Sequence, residues 1–166
     1  MRFSTGSPEQ TTAAGRALAE ALDAEAGLFV ALSGPLGAGK TVFVKGAAAG
    51  LAIEPDQVAS PTFVLASRYE GRRTLVHADL YRIESEDELL AAGFLDWLEP
   101  GALVVAEWGD RFPDALPQDR LEIRIERYGA ARRRFEASAS GPVACATLER
   151  FREAVGEAPG GSERGA

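Results

Sequence analysis

The sequence predicts an α/β fold in three layers, a sheet flanked by helices, with additional antiparallel strands. Three observations predict it. An apolar run at 28–32 leads straight into a glycine-rich turn and a helix-compatible segment. Two further stretches end in an acid, 75–79 apolar-biased and 103–107 more clearly apolar, as buried parallel strands do when they open into a crevice. Later in the chain, 121–126 alternates apolar and polar residues like a half-exposed strand.

Taken in order, Ser7, Pro8 and Gln10 form a helix start: an N-cap, a proline at the first helical position and a capping-box partner. Ala13, Ala14, Ala17, Leu18, Ala21 and Leu22 recur at helical spacing, which predicts a helix over 8–23 stopped by Gly27. The strand at 28–32 follows, then a helix over 41–49 ending at Gly50. Segments 63–70 and 73–78 flank Gly71 as a hairpin. Ser85 with Glu88 opens a short acidic helix that breaks at Gly93. After the strand at 103–106, segments 121–126 and 135–138 are expected to pair, and 148–155 to form the last helix. The Gly-rich polar end reads as a flexible tail over 156–166.

Composition narrows the function. The 166 residues carry 18 Lys plus Arg against 25 Asp plus Glu, a net charge of −7, which argues against a surface that holds nucleic acid mainly by neutralising phosphates. One His and one Cys exclude a His/Cys metal cage, so a metal here is held by oxygen. No apolar run approaches the ~20 residues that span a bilayer, and the start lacks a secretory pattern, so the expected location is cytoplasmic. Only two lysines occur, Lys40 and Lys45, against 16 arginines.

Lys40 lies in the segment that carries the chemistry. Gly34-Pro35-Leu36-Gly37-Ala38-Gly39-Lys40-Thr41 matches G-x-x-x-x-G-K-[ST] in full. Glycines let the backbone curl so that successive N–H groups face phosphate oxygens, the lysine reaches the outer phosphates, and the Thr41 hydroxyl is a hard ligand for Mg²⁺. The helix that follows adds its N-terminal dipole. With this loop, residues 1–155 read as a single P-loop NTPase-like nucleotide-binding domain. Asp79 and Glu107, at strand ends facing the same crevice, are candidate Mg²⁺ partners, or else solvated strand-end acids. Ser60-Pro61-Thr62 is either a γ-phosphate-sensing switch or an ordinary turn. His77, two residues before Asp79, is either structural or proton-handling.

Together with Ser60-Pro61-Thr62-Phe63, His77-Ala78-Asp79-Leu80-Tyr81-Arg82 and Glu107-Trp108, the loop resembles the TsaE (YjeE) family of bacterial P-loop ATPases over roughly residues 7 to 137. The resemblance implies ATP binding and hydrolysis in making N6-threonylcarbamoyladenosine (t6A) at adenosine 37 of tRNAs that read codons beginning with A. It implies work with the TsaD and TsaB proteins, with tRNA reached only through that complex and no membrane partner. Gly37, Ala38, Gly39 and Lys40 would hold the phosphates of ATP or ADP, and Thr41 and Glu107 would hold Mg²⁺. Asp79, Thr62 and Glu107 would form the catalytic set. Trp108 would flank the site, Thr11 the adenine, and Arg132, in the run Arg132-Arg133-Arg134, would approach the nucleotide. Pro35, Ala78 and Gly109 depart from the family pattern, and Ala78 is expected on the opposite strand face.

Two other functions compete. A small-metabolite kinase needs an arginine-bearing lid, and no compact lid segment is evident. A regulatory GTPase needs a guanine-reading lysine, yet Lys45 is followed by Gly46 and Ala47, and D-x-x-G is missing.

Overall fold

The structure, a computed structural model, describes residues 1–61 and 64–156. Thr62, Phe63 and the predicted tail beyond Gly156 lie outside the described residues. The described chain forms strands β1 (Arg2–Thr5), β2 (Leu28–Ser33), β3 (Ala66–Glu70), β4 (Thr74–Asp79), β5 (Leu103–Glu107), β6 (Arg120–Tyr128) and β7 (Arg132–Ser140), with helices α1 (Pro8–Ala21), α2 (Lys40–Gly50), α3 (Glu86–Ala91), α4 (Phe94–Trp97) and α5 (Pro142–Val155). One mixed sheet runs β1-β7-β6-β2-β5-β4-β3. Its centre is parallel, with β2 between β6 and β5 and β4 beyond β5; β3, β7 and β1 add antiparallel edges. This is the predicted α/β sheet with its antiparallel additions.

Strand parity divides the core. Leu28, Val30, Leu32, Leu75, Leu103, Val105, Leu121 and Ile123 pack in one cluster with α1, α2 and α5, including Leu18, Phe43 and Phe151. Phe29, Ala31, Val76, Ala78, Val104 and Ala106 belong to a second cluster, closed by Leu89 of α3 and Phe94 of α4. Ala78 is therefore on the opposite face, as expected.

Helices α1 and α2 meet backbone to backbone. A Cβ on Gly15 would sit 1.9 Å from the Phe43 carbonyl oxygen, and one on Gly46 would sit 2.0 Å from that of Thr12. Only glycine permits this approach, and it sets where the first turn of α1 stands relative to the loop before α2. The cap of α1 is the expected one: the Gln10 N–H donates to Ser7 Oγ at 3.3 Å, while Gln10 Oε1 accepts from the Gly6 N–H rather than from that of Ser7.

Several elements differ from the sequence reading. β1 and α4 were not anticipated. β1 forms because Phe3 stacks on Phe135 with ring centroids 4.5 Å apart and meets Phe151 edge-on at 5.7 Å. α5 begins at Pro142, six residues before the predicted start, because Asp119 accepts hydrogen bonds from the Val143 and Ala144 N–H groups. β6 and β7 each run nine residues, longer than expected, because they pair along their whole length.

Candidate functional site

The loop between β2 and α2 follows the geometry its glycines predict. Gly34, Gly37 and Gly39 have φ of 139°, 74° and 103°, in the region that side chains disfavour. Gly34 also lies against β6, where a Cβ would come 2.1 Å from the Ile125 carbonyl oxygen. Gly37 has open space around it, and Gly39 caps α2. The backbone thus curls at a helix N-terminus, the setting in which N–H groups gather an anion.

Lys40 folds back on this loop. Its Nζ donates to the Gly34 carbonyl at 2.8 Å and the Pro35 carbonyl at 3.2 Å, and it lies 4.5 Å from the centroid of the Trp108 ring. Burial lowers its pKa, opposed by the charges of Glu107, Asp79 and Asp110. Among the described residues Lys40 makes no ion pair within 4.0 Å. Its ammonium is held by two carbonyl dipoles and the face of the Trp108 ring, weaker partners than a phosphate would be.

The acids arrive through strand register. β4 and β5 align Asp79 with Glu107, and β2 aligns Leu32 with Glu107, so both acids stand at the carboxyl ends of parallel strands beside the loop. Glu107 is buried, and its Oε1 accepts from Thr41 Oγ1 at 3.2 Å and lies 2.9 Å from His77 Nε2. The Asp79 Oδ1 accepts from the Tyr81 N–H at 2.9 Å. Burial raises the Asp79 pKa; the Tyr81 N–H lowers it, Glu107 adds to the rise, and His77 and Lys40 oppose it.

Trp108 adopts φ 60°, rare for a large side chain, and its N–H donates to the Leu32 carbonyl at 2.8 Å. Its ring lies 5.2 Å from that of Tyr81. Arg111 donates to the Leu80 carbonyl at 2.9 Å and to that of Tyr81, which ties the segment after β4 to the turn after β5.

On the other side of the loop, a small cleft is lined by Pro8, Thr11, Gly39, Val42, Ala131 and Arg133. Buried Thr11 shares a hydrogen bond with Thr5, Oγ1 to Oγ1 at 2.8 Å, and donates to the Ser7 carbonyl at 3.2 Å. Arg133, not Arg132, stands by the loop, its Nε 3.6 Å from where a Gly39 Cβ would be. Arg132 is exposed where β7 begins, opposite Tyr128. A cavity of about 550 Å³ elsewhere, lined in part by Ser33, Asp110, Glu122, Arg124 and Glu136, includes none of Lys40, Thr41, Asp79 or Glu107.

The family model described as "Threonylcarbamoyl adenosine biosynthesis protein TsaE" matches residues 5–135. The chain belongs to the TsaE family. It is similar to the tRNA threonylcarbamoyladenosine biosynthesis protein TsaE of Treponema pallidum, 42% identical over 101 residues, covering 61% of this chain and 74% of that protein. It is 38% identical over 142 residues to the Bacillus subtilis protein of the same name, covering 85% and 87%. Its fold is similar to the crystal structure of Bacillus subtilis YdiB, with a TM-score of 0.70, 32% identity, and coverage of 92% and 94%.

In this TsaE-family chain the fold gathers Gly37, Ala38, Gly39, Lys40, Thr41, Asp79, Glu107 and Trp108 around one loop, with Thr11 beyond Gly39. Arg132 stands apart, and Thr62 is outside the described residues. Sequence reasoning missed Arg133, which lay in the basic run it did single out, and Arg111, whose clamp on two carbonyls leaves no local signature. His77, which the sequence reads as either structural or proton-handling, is buried against Glu107.

Proposed function

We propose that this chain binds ATP with Mg²⁺ and hydrolyses it to support t6A formation on tRNA, in concert with TsaD and TsaB. A cytoplasmic location goes with this reading. One observation carries it: a complete phosphate loop whose Thr41 hydroxyl donates to a buried carboxylate at the end of the neighbouring strand.

The donor set fits the nucleotide and the ion. Thr41 and Glu107 offer hard oxygen ligands, the kind Mg²⁺ prefers. Because the Thr41 hydrogen is used on Glu107, the hydroxyl's lone pairs are left for a cation. Mg²⁺, when bound by Thr41 and Glu107, would neutralise charge on the phosphoryl groups. Loop N–H groups and the α2 N-terminus bind the phosphates, and Lys40 exchanges its two carbonyl partners for phosphate oxygens. Asp79, held by the Tyr81 N–H, orients the attacking water. Thr11 and Arg133 flank the side of Gly39 away from the acids, where the base and ribose would lie.

The test is phosphate release from ATP by the protein alone and with TsaB and TsaD. Weak turnover alone and faster turnover with the pair are expected. Unchanged turnover, with tRNA modification proceeding without this protein, would refute the coupling. A phosphorylated metabolite in place of free phosphate would point to a kinase, and tighter binding of GTP than ATP to a GTPase.

A further inference from the structure

His77 is the chain's only histidine, and its side chain is fully buried on β4. Its Nε2 lies 2.9 Å from Glu107 Oε1, while its Nδ1 is buried with no hydrogen-bond partner among the described residues. A histidine kept for packing alone would use both nitrogens or give way to an apolar residue, since a buried unsatisfied nitrogen is costly. Among the described residues this imidazole makes a single hydrogen bond, to the carboxylate at the mouth of the phosphate loop.

The direction of the bond follows from chemistry. A carboxylate only accepts, so Nε2 carries the hydrogen and the unpartnered Nδ1 carries the lone pair. Parity makes the contact possible: His77 and Asp79 are two apart on β4, Glu107 is opposite Asp79, and all three project toward the face that α2 covers. The Glu107 side chain has three torsions that a buried site must pin if its oxygens are to meet a cation in fixed geometry. Thr41 meets it from the first turn of α2, and His77 meets it from within the sheet, on the neighbouring strand.

We infer that His77 is a positioning residue: its Nε2–H fixes the rotamer of Glu107 and so presets the carboxylate for Mg²⁺ before nucleotide arrives. The inference rests on the reading of Glu107 as the metal ligand. It assigns His77 no proton transfer and no contact with substrate.

The test uses the full chain, free of any histidine tag, with ADP as the probe so that turnover is not the readout. ADP affinity is titrated without Mg²⁺ and across a range of Mg²⁺ concentrations for wild type, His77→Gln and His77→Asn. Gln places its amide N–H near the position of Nε2, whereas the shorter Asn cannot reach Glu107. The two are otherwise matched in polarity and burial, so a loss of folding common to both cancels from the comparison. Expected are unchanged Mg²⁺-free affinity in both variants, a Mg²⁺ half-saturation raised ~10–100-fold in His77→Asn, and recovery toward wild type in His77→Gln. Equal Mg²⁺ dependence in the two variants would overturn the inference.

A second readout needs no substitution at His77. As the only imidazole, it gives an unambiguous pair of ¹⁵N signals, expected to show the Nε2–H tautomer with a slowly exchanging proton that shifts in Glu107→Gln. An Nδ1–H tautomer would overturn the inference even if every variant misfolds. Wild-type protein whose ADP binding ignores Mg²⁺ would instead overturn the reading of the site, an outcome separate from either variant result.

Discussion

Replacing Gly46 with alanine tests whether the contact between α1 and α2 sets the site. The new Cβ would stand 2.0 Å from the Thr12 carbonyl oxygen, 2.8 Å from its carbon and 3.0 Å from the Thr12 Cα. These are backbone atoms, so no side chain can swing aside. Restoring ordinary contact requires α1 to move away by roughly 1.4 Å in a close-packed interior. Overpacking of this kind costs ~1–3 kcal/mol, and here the upper end applies because a helix, not a rotamer, must shift. Alanine returns ~0.5–1 kcal/mol through its better helix propensity. The net is a destabilisation of about 2 kcal/mol, or a fall in Tm of about 4–8 °C for a chain of this size. Because α1 carries Thr11 to the side of Gly39, ADP affinity should fall with it. Thermal melting and ADP titration check both. A variant that melts at or above wild type and binds ADP equally well would refute the claim that these helices are held at backbone contact.

The remaining predictions concern charge at the site. Lys40→Ala is expected to abolish measurable ATP binding in calorimetric titration yet leave Tm unchanged or raised, since burial disfavours the ammonium and no ion pair is lost. Arg133→Ala is expected to weaken ADP binding several-fold while Arg132→Ala does not, because only Arg133 lines the cleft by Gly39. For Asp79, burial raises the folded pKa above the usual ~4 of the unfolded chain, so the native state binds more protons and stability falls as pH rises through that window. Asp79→Asn, which keeps an acceptor for the Tyr81 N–H, is therefore expected to raise Tm at pH 7 and to lose that advantage below pH ~4. Melts across pH check the sign, and an advantage that grows with acid would reverse it.

What was legible in the sequence was local or periodic. The phosphate loop is contiguous, with positive φ written in its glycines, and β2, β4 and β5 announce themselves by apolar runs ending in Ser33, Asp79 and Glu107. β1 was not legible because four residues carry no period; aromatic contacts with Phe135 and Phe151, more than a hundred residues away, hold it. The start of α5 was hidden for the same reason, its cap being Asp119 from before β6. In the site, Asp79 and Glu107 could be picked out by their place at strand ends. Choosing Arg133 over Arg132 required the register of the β6–β7 hairpin, and pairing His77 with Glu107 required that of β4 on β5. A one-residue error in register would invert either assignment.

Trp108 shows how the fold ends a strand where the site needs it to. Residues 107 and 108 diverge: Glu107 lies beside Thr41 and His77, while Trp108 packs against the second layer, which includes Ala78 and Ala106. The left-handed turn at Trp108, costing ~1–2 kcal/mol for a residue with a Cβ, ends the strand and brings the ring to Lys40 while it still packs against that layer. Three contacts hold the turn against that cost: the Trp108 N–H on Leu32, the Arg111 clamp on the Leu80 and Tyr81 carbonyls, and Gly109 against Ala31. A Cβ on Gly109 would fall 2.8 Å from that of Ala31, so this glycine is required by the path of the turn. Strain retained this way, with a buried lysine beneath the ring and a desolvated aspartate beside it, marks a region arranged against its own stability. Binding of an anion between Lys40 and the loop would relieve the lysine's share of that cost, which couples nucleotide affinity to the stability of the turn.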